Sequence, residues 1–72
     1  FKKYDFCHYD SDKSYQGRIL IYSKIWERLN NNGVLLSDDI SDNLAFFHFC
    51  KKKRKKPFVI KFNKKYLGLI IN

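Results

Sequence analysis

Six adjacent cations, Lys51-Lys52-Lys53-Arg54-Lys55-Lys56, are the densest concentration of chemistry in this sequence. Like charges so close repel one another and stay out of any core. Their natural counterpart is a polyanion. Each phosphate they neutralise releases condensed counterions, and about six contacts give a log–log salt slope of roughly −4 to −5. Lys61, Lys64 and Lys65 extend the same surface, and no acid occurs anywhere in residues 51–72. A merely solvated face is the plain alternative. Phe46, Phe47, Phe49, Phe58 and Phe62 flank the run. They would stack on unpaired bases or, more simply, form the core of a small sheet and its protein contacts.

A second set of reactive groups is Cys7-His8 together with His48 and Cys50. Four nitrogen and sulfur donors suit tetrahedral zinc. Adjacent ligands such as Cys7 and His8 are poorly spaced for one ion, so ordinary buried thiols or a single disulfide is the simpler reading. Asp38, Asp39 and Asp42 fall in a turn-like segment, where capping and solvation account for them. No glycine-rich phosphate loop and no nucleophile–base arrangement stands out. The residues therefore point to binding, not catalysis, and call for no cofactor.

The elements that must position these groups have little material to work with. The 72 residues allow one domain, and a domain of this size is marginal without a staple or a partner. The charge is asymmetric. Residues 1–50 hold six cations and seven acids, whereas residues 51–72 hold nine cations, which together give the net +8. A basic footprint confined to one third of the chain favours nucleic acid ahead of an anionic membrane surface. No apolar run has the length of a membrane span, and no signal-peptide pattern is visible. The chain starts at Phe1 and contains no Met, so the initiator lies outside it. Its richness in Lys, Asn, Ile, Phe and Tyr is associated with AT-rich coding, as in organelles and parasites.

Residues 1–17 read as an irregular N-terminal extension, with Asp10, Ser11, Asp12, Ser14 and Gly17 as loop formers. Residues 18–29 fit two patterns. Ile19, Ile21, Ser23 and Ile25 alternate as in a strand, while Tyr22, Ile25, Trp26 and Leu29 make a helical stripe that locally has a slight advantage. Asn30-Asn31-Asn32-Gly33 is a stop signal, Val34-Leu35-Leu36 a short apolar run, and Ser37-Asp38-Asp39 a cap for a brief helical turn. Leu44, Phe46, His48 and Cys50 alternate with Ala45, Phe47 and Phe49, which predicts a strand. Phe58 to Phe62 is a second strand, with Pro57 at its start. The spacing thus predicts a β-hairpin with the cationic run at its tip, then a last turn from Asn63 to Leu67 that Gly68 ends. The fold class is α+β: a small antiparallel sheet with a basic hairpin and one or two short helices.

From Trp26 to Gly68 the order of features resembles the bacterial-type S-nineteen family of small-subunit ribosomal proteins. Trp26-Glu27-Arg28 matches the family's W-x-R. Val34 to Phe47 follows its T-I-L-P-E-F-I-G-x-x-F-A-V-Y stretch without a gap. Lys51 to Lys56 and Pro57-Phe58-Val59-Ile60 take the places of its basic turn and P-V-Y-I strand, and Lys64-Lys65-Tyr66-Leu67-Gly68 is similar to its G-H-K-L-G. Each motif alone is weak, and their order carries the likeness. Departures are short insertions after Arg28 and in the basic loop, Ser41 where the family has glycine, and Leu69-Ile70 where it has an acidic–aromatic pair. The resemblance implies a strand from Arg18 to Trp26 and adds Trp26 and Arg28 to the RNA-facing residues. It also implies a place in the head of the small ribosomal subunit, on ribosomal RNA beside neighbouring small-subunit proteins, with no membrane and no small-molecule substrate. Divergence of this degree implies an organellar ribosome, mitochondrial ahead of plastid-like. The S-eighteen family is a weaker match, through Phe6-Cys7, Tyr22 to Ile25, Gly33 to Ile40 and Tyr66 to Leu69. It requires a basic C-terminal helix where Pro57 and the run Phe58 to Phe62 favour a strand. A further alternative is a free-standing winged-helix type of nucleic-acid-binding module, with the basic hairpin as wing. Its recognition helix near residues 19–30 would offer only Lys24, Arg28 and a few asparagines.

Overall fold

In the computed structural model, which describes residues 3–72, the chain runs strand, helix, strand, 3-10 turn, helix, strand, strand. β1 (Tyr4–Tyr9) leads into α1 (Tyr15–Arg28) through a short loop. Asp12 accepts the backbone N–H of Ser14, and Ser14 Oγ accepts that of Gly17, which satisfies a donor the helix itself cannot. The described residues up to 17 are thus no irregular extension, since Tyr4–Tyr9 form a strand and α1 begins at Tyr15; residues 1 and 2 lie outside the described residues. In residues 18–29 the helical stripe prevails. Arg18, Tyr22, Ile25 and Trp26 share the side of α1 that meets the core. The strand that the S-nineteen resemblance implies from Arg18 to Trp26 is absent.

At Leu29 the backbone turns extended, with φ −84° and ψ 135°. Asn30 to Gly33 do not stop the chain; they open β2 (Leu29–Ser37) as an irregular strand start. Asn32 takes a left-handed φ of 66°. The C-terminal residue holds this irregularity. Asn32 N–H donates to the Asn72 carbonyl, and Asn72 N–H donates to the Gly33 carbonyl, both at 2.8 Å. Beyond β2, Asp39 is left-handed (φ 50°) and introduces the 3-10 turn Ile40–Asp42, whose Ile40 is buried. Asp39 makes no side-chain cap there, contrary to the capping read from Ser37-Asp38-Asp39.

Residues 44–50 are not a strand. They begin α2 (Ala45–Lys53), and its buried residues are Ala45, Phe46, Phe49 and Cys50. As a strand, this segment would send Phe46 and Phe49 to opposite faces. As a helix it gathers both onto one face, which a single sheet can cover. Asn43 Oδ1 accepts the Ala45 N–H at 2.9 Å to start the helix. The helix ends with Arg54 left-handed (φ 57°), Arg54 N–H on the Lys51 carbonyl and Lys55 N–H on the Cys50 carbonyl. That is the Schellman arrangement, with arginine where glycine is usual.

β3 (Phe58–Phe62) and β4 (Lys65–Ile71) then form the hairpin, and Asn63 and Lys64 at its turn have φ of 49° and 66°. Two positive φ values are what a two-residue type I′ turn requires. The tip is therefore Asn63-Lys64, not the cationic run, and Lys65 to Leu67 belong to a strand that continues through Gly68. The sheet order is β1-β2-β4-β3. β1 and β2 are parallel, because α1 makes the crossover between them, and the other pairs are antiparallel. The sheet is accordingly mixed, within an α+β fold.

Both helices cover the same sheet face. Phe46 lies against Gly68 so closely that a Cβ there would fall 2.3 Å from its ring. Tyr9, Leu35, Ser37 and Ile70 point to this side and are buried. In the β-period their neighbours point the other way: Phe6 and His8 from β1, Val34 and Leu36 from β2, Leu67, Leu69 and Ile71 from β4, and Phe58, Ile60 and Phe62 from β3. None of these is buried. One face of the sheet is the core wall, and the other is open and almost wholly apolar.

Candidate nucleic-acid interface

The cationic run straddles the end of α2. Lys51, Lys52 and Lys53 form its last turn, Arg54 is the left-handed cap residue, and Lys55 and Lys56 lead through Pro57 into β3. Cations here also suit the negative end of the helix dipole, a structural use that coexists with ligand binding. Helical geometry fans the first three lysines at about 100° steps. Lys51 points away from the buried face. Lys53 folds toward it, with Nζ 5.8 Å from the centroid of the Phe49 ring, and is only partly exposed. Lys51, Lys52, Arg54, Lys55 and Lys56 are all exposed.

The other basic residues lie farther along β3. Lys61 sits over the Tyr66 ring, 5.8 Å from its centroid, on the helix side of the sheet. Lys64 and Lys65 are at the hairpin turn. A five-residue strand separates them from Lys56, a distance of roughly 17 Å at strand rise. The basic surface therefore has two ends, joined by a strand whose residues are all exposed. The aromatics divide. Phe46 and Phe49 are fully buried, whereas Phe47, Phe58 and Phe62 are exposed, the last two most fully at 60% and 63%.

Trp26 and Arg28 do not join this surface as a pair. Trp26 packs edge-on against Phe49, 5.6 Å between centroids, as part of the core margin. Arg28 ends α1 and lines an open groove with Tyr4, Cys7, Lys24, Ile25 and Glu27. Burial pushes the Cys7 thiol up from its ordinary pKa.

The four zinc-ligand candidates are dispersed. His8 Nε2 pairs with Asp38 Oδ1 at 3.0 Å, and His48 Nδ1 meets the Tyr15 hydroxyl at 2.8 Å. His48 and Cys50 are two residues apart on a helix, hence on different sides of it. Cys50 is in the core, where burial pushes its pKa up to about 11. Among the described residues no group of three or more His, Cys, Asp or Glu side chains is placed to hold a metal ion. Among them, too, no helix is long and apolar enough to cross a membrane.

The most elaborate polar cluster escaped sequence reading altogether. Arg18 is 1% exposed. Its Nη1 donates to Tyr22 Oη, Ser37 Oγ and the Asp38 carbonyl at 2.9, 3.2 and 3.0 Å, and Nη2 donates to the Asp39 carbonyl at 3.2 Å. Asp42 Oδ2 lies 3.9 Å away, and the guanidinium sits over the Tyr9 ring. The acids around it have partners. Asp12 is held below the usual carboxylate range by the Ser14 N–H and hydroxyl. Asp39 is held below it by the Lys13 ammonium, which is itself raised by Asp39. The carboxyl ends of parallel strands are where open α/β sheets bind ligands. Here that region is occupied by structural pairs, and Arg18 ties α1 to the end of β2. An arginine inside an apolar stripe reads as solvent-facing; only Tyr22 four residues on and Ser37 hint at its partners.

No protein-family model, curated protein or solved structure matches this chain.

Proposed function

We propose that this chain is a structural RNA-binding protein of a ribonucleoprotein particle, that particle being the small ribosomal subunit of an organelle. It works by neutralising phosphates, not by catalysis. The observation that carries the reading is the placement of nine cations and no acid in residues 51–72, with Lys51, Lys52, Arg54, Lys55 and Lys56 exposed where α2 gives way to β3. Such a cluster engages the backbone and shape of folded RNA, without reading bases in a deep groove. The two basic ends of β3 are far enough apart to touch phosphates on different strands or turns. The choice of ribosome rests on the sequence resemblance from Trp26 to Gly68. The helices over residues 15–28 and 45–53, the second where the family's basic turn is matched, stand against the S-nineteen member of that class, so the particle, more than the family, is proposed.

The test is sedimentation of a native lysate on a gradient, with and without nuclease, following this chain. Co-migration with small ribosomal subunits, abolished by nuclease, is the expected result. Migration as a light species in both gradients refutes the reading. Binding of the purified chain to anionic vesicles in preference to RNA would reassign the lysines to a membrane surface.

A further inference from the structure

The open sheet face is the largest feature that phosphate binding leaves unused. Phe58, Ile60 and Phe62 at one edge are 60%, 48% and 63% exposed, and Phe6 at the other edge is 57% exposed. Between them the face is made of the valine, leucine and isoleucine side chains of β2 and β4. With aromatic side chains offering ~150–250 Å² each, these four exposures amount to about 450 Å², and Ile71 (41% exposed) with the half-buried aliphatic residues of β2 and β4 brings the face to about 600 Å² of apolar surface. A patch of that size stands at the upper end of what a monomer ordinarily leaves in water, about 300–600 Å², where such patches are often functional.

We propose that this face is a dimer interface, on which a second copy of the chain packs sheet against sheet. Three observations select this occupant. The first is area: about 600 Å² per chain approaches the roughly 800 Å² per partner of a standard interface. The second is shape. Four strands at about 4.8 Å spacing make a wall roughly 19 Å across, twice the width a single helix covers and matched by another sheet of the same size. The third is charge. The centre of the face carries no charge, and the ionisable groups at its margins are Lys65 and the His8–Asp38 pair. The cationic run begins on α2, which packs on the opposite face. Two chains joined through their open faces therefore keep their lysine runs on the outside, pointing apart, despite a net charge of +8 each. Unpaired bases would find rings only at the two edges of the face, Phe58 and Phe62 on β3 and Phe6 on β1; the aliphatic centre between them offers neither a ring nor a phosphate donor and suits a second sheet better. The interface is isologous, with β3 and β1 exchanging roles across a two-fold axis, and it presents the particle with two basic runs in place of one.

The test is sedimentation equilibrium of nuclease-treated protein from ~10 μM to ~1 mM. A monomer–dimer equilibrium is expected, with a limiting mass twice 8.7 kDa. It should hold or tighten as salt screens the two net charges, the opposite of RNA binding. Ile60→Lys with Phe62→Lys should weaken it at least ~100-fold, because both charges would be desolvated at the interface. Leu20→Lys, on an exposed site of α1, should leave it unchanged. Should the paired lysines unfold the chain, concentration-dependent NMR shifts of the unsubstituted protein give the same answer, moving at Phe6, Ile60 and Phe62 and not at Leu20. A chain that stays monomeric to ~1 mM overturns the proposal. So does a dimer indifferent to the two lysines, or one whose shifts map to the helices.

Discussion

The salt dependence of RNA binding can be worked from the geometry of the cationic run. Six cations in a flexible tip would all reach phosphates, for a log–log slope of roughly −4 to −5. The observed placement lowers that figure. Lys53 is drawn back over Phe49, and Lys51 and Lys52 diverge by about 100°, so a single RNA segment meets about four cations at once. At 0.7–0.9 per contact the slope becomes about −3 to −3.6, equivalent to a loss of about 50–150-fold between 50 and 200 mM salt. Lys51→Gln, Arg54→Asn and Lys55→Gln together remove three of those contacts. Glutamine keeps the helical preference and the stem at Lys51, and asparagine tolerates the left-handed backbone at Arg54. Titrating a labelled single-stranded RNA too short to reach the second basic end at Lys64 and Lys65, by fluorescence anisotropy across a salt series, should give about −3 for the unsubstituted chain and about −1 for the triple variant. A variant slope still near −3 would show that other residues carry the phosphates. An unsubstituted slope shallower than −1 would remove the electrostatic basis of the reading.

Three further outcomes test the fold beneath the site. Arg18→Met strips a donor from the Asp38 and Asp39 carbonyls while keeping the stem, and leaves Tyr22 and Ser37 bonded to each other; it should lower stability by about 2–4 kcal/mol, at about 1–3 for each orphaned acceptor, and urea melts showing less than ~1 kcal/mol would mean the cluster is solvated. Lys64→Gly relieves a left-handed lysine (φ 66°) at the hairpin turn and should raise stability by ~0.5–1 kcal/mol, as a higher urea midpoint at unchanged m-value. A lower midpoint would contradict the type I′ turn. Acid should destabilise the chain in a particular window. Asp12 and Asp39 have folded pKa values below their ordinary ones, so their contribution is complete above about pH 4 and disappears as pH falls through the still lower folded values. Asp39→Asn should flatten that acid limb, measured by thermal melts from pH 7 to 2, and an unchanged limb would mean that the Lys13–Asp39 pair contributes nothing.

What the sequence disclosed and what it concealed have the same physical origin. Charge is additive along a chain, so the basic footprint of residues 51–72 was legible without any structure. So was the strand Phe58 to Phe62, because Pro57 before it and its β-branched and aromatic residues agree with one another. Periodicity is less decisive when a segment is apolar at nearly every position. Ala45 to Cys50 satisfies a period of 2 and a period of 3.6 at once, and the choice is made by what covers it: Gly68 leaves a space that only a ring from a helix above the sheet fills. Once α2 formed, the cationic run could not be a hairpin tip, and the tip passed to Asn63-Lys64, which lacks the glycine that usually advertises such a turn. Arg18 was hidden for a different reason. Its burial depends on carbonyls of Asp38 and Asp39, twenty or more residues away, and no local pattern encodes an acceptor made of backbone. The open face was present in the alternation of Phe58, Ile60 and Phe62, but alternation gives two faces without saying which one the chain covers. That is decided by the helices, and both of them went to the same side.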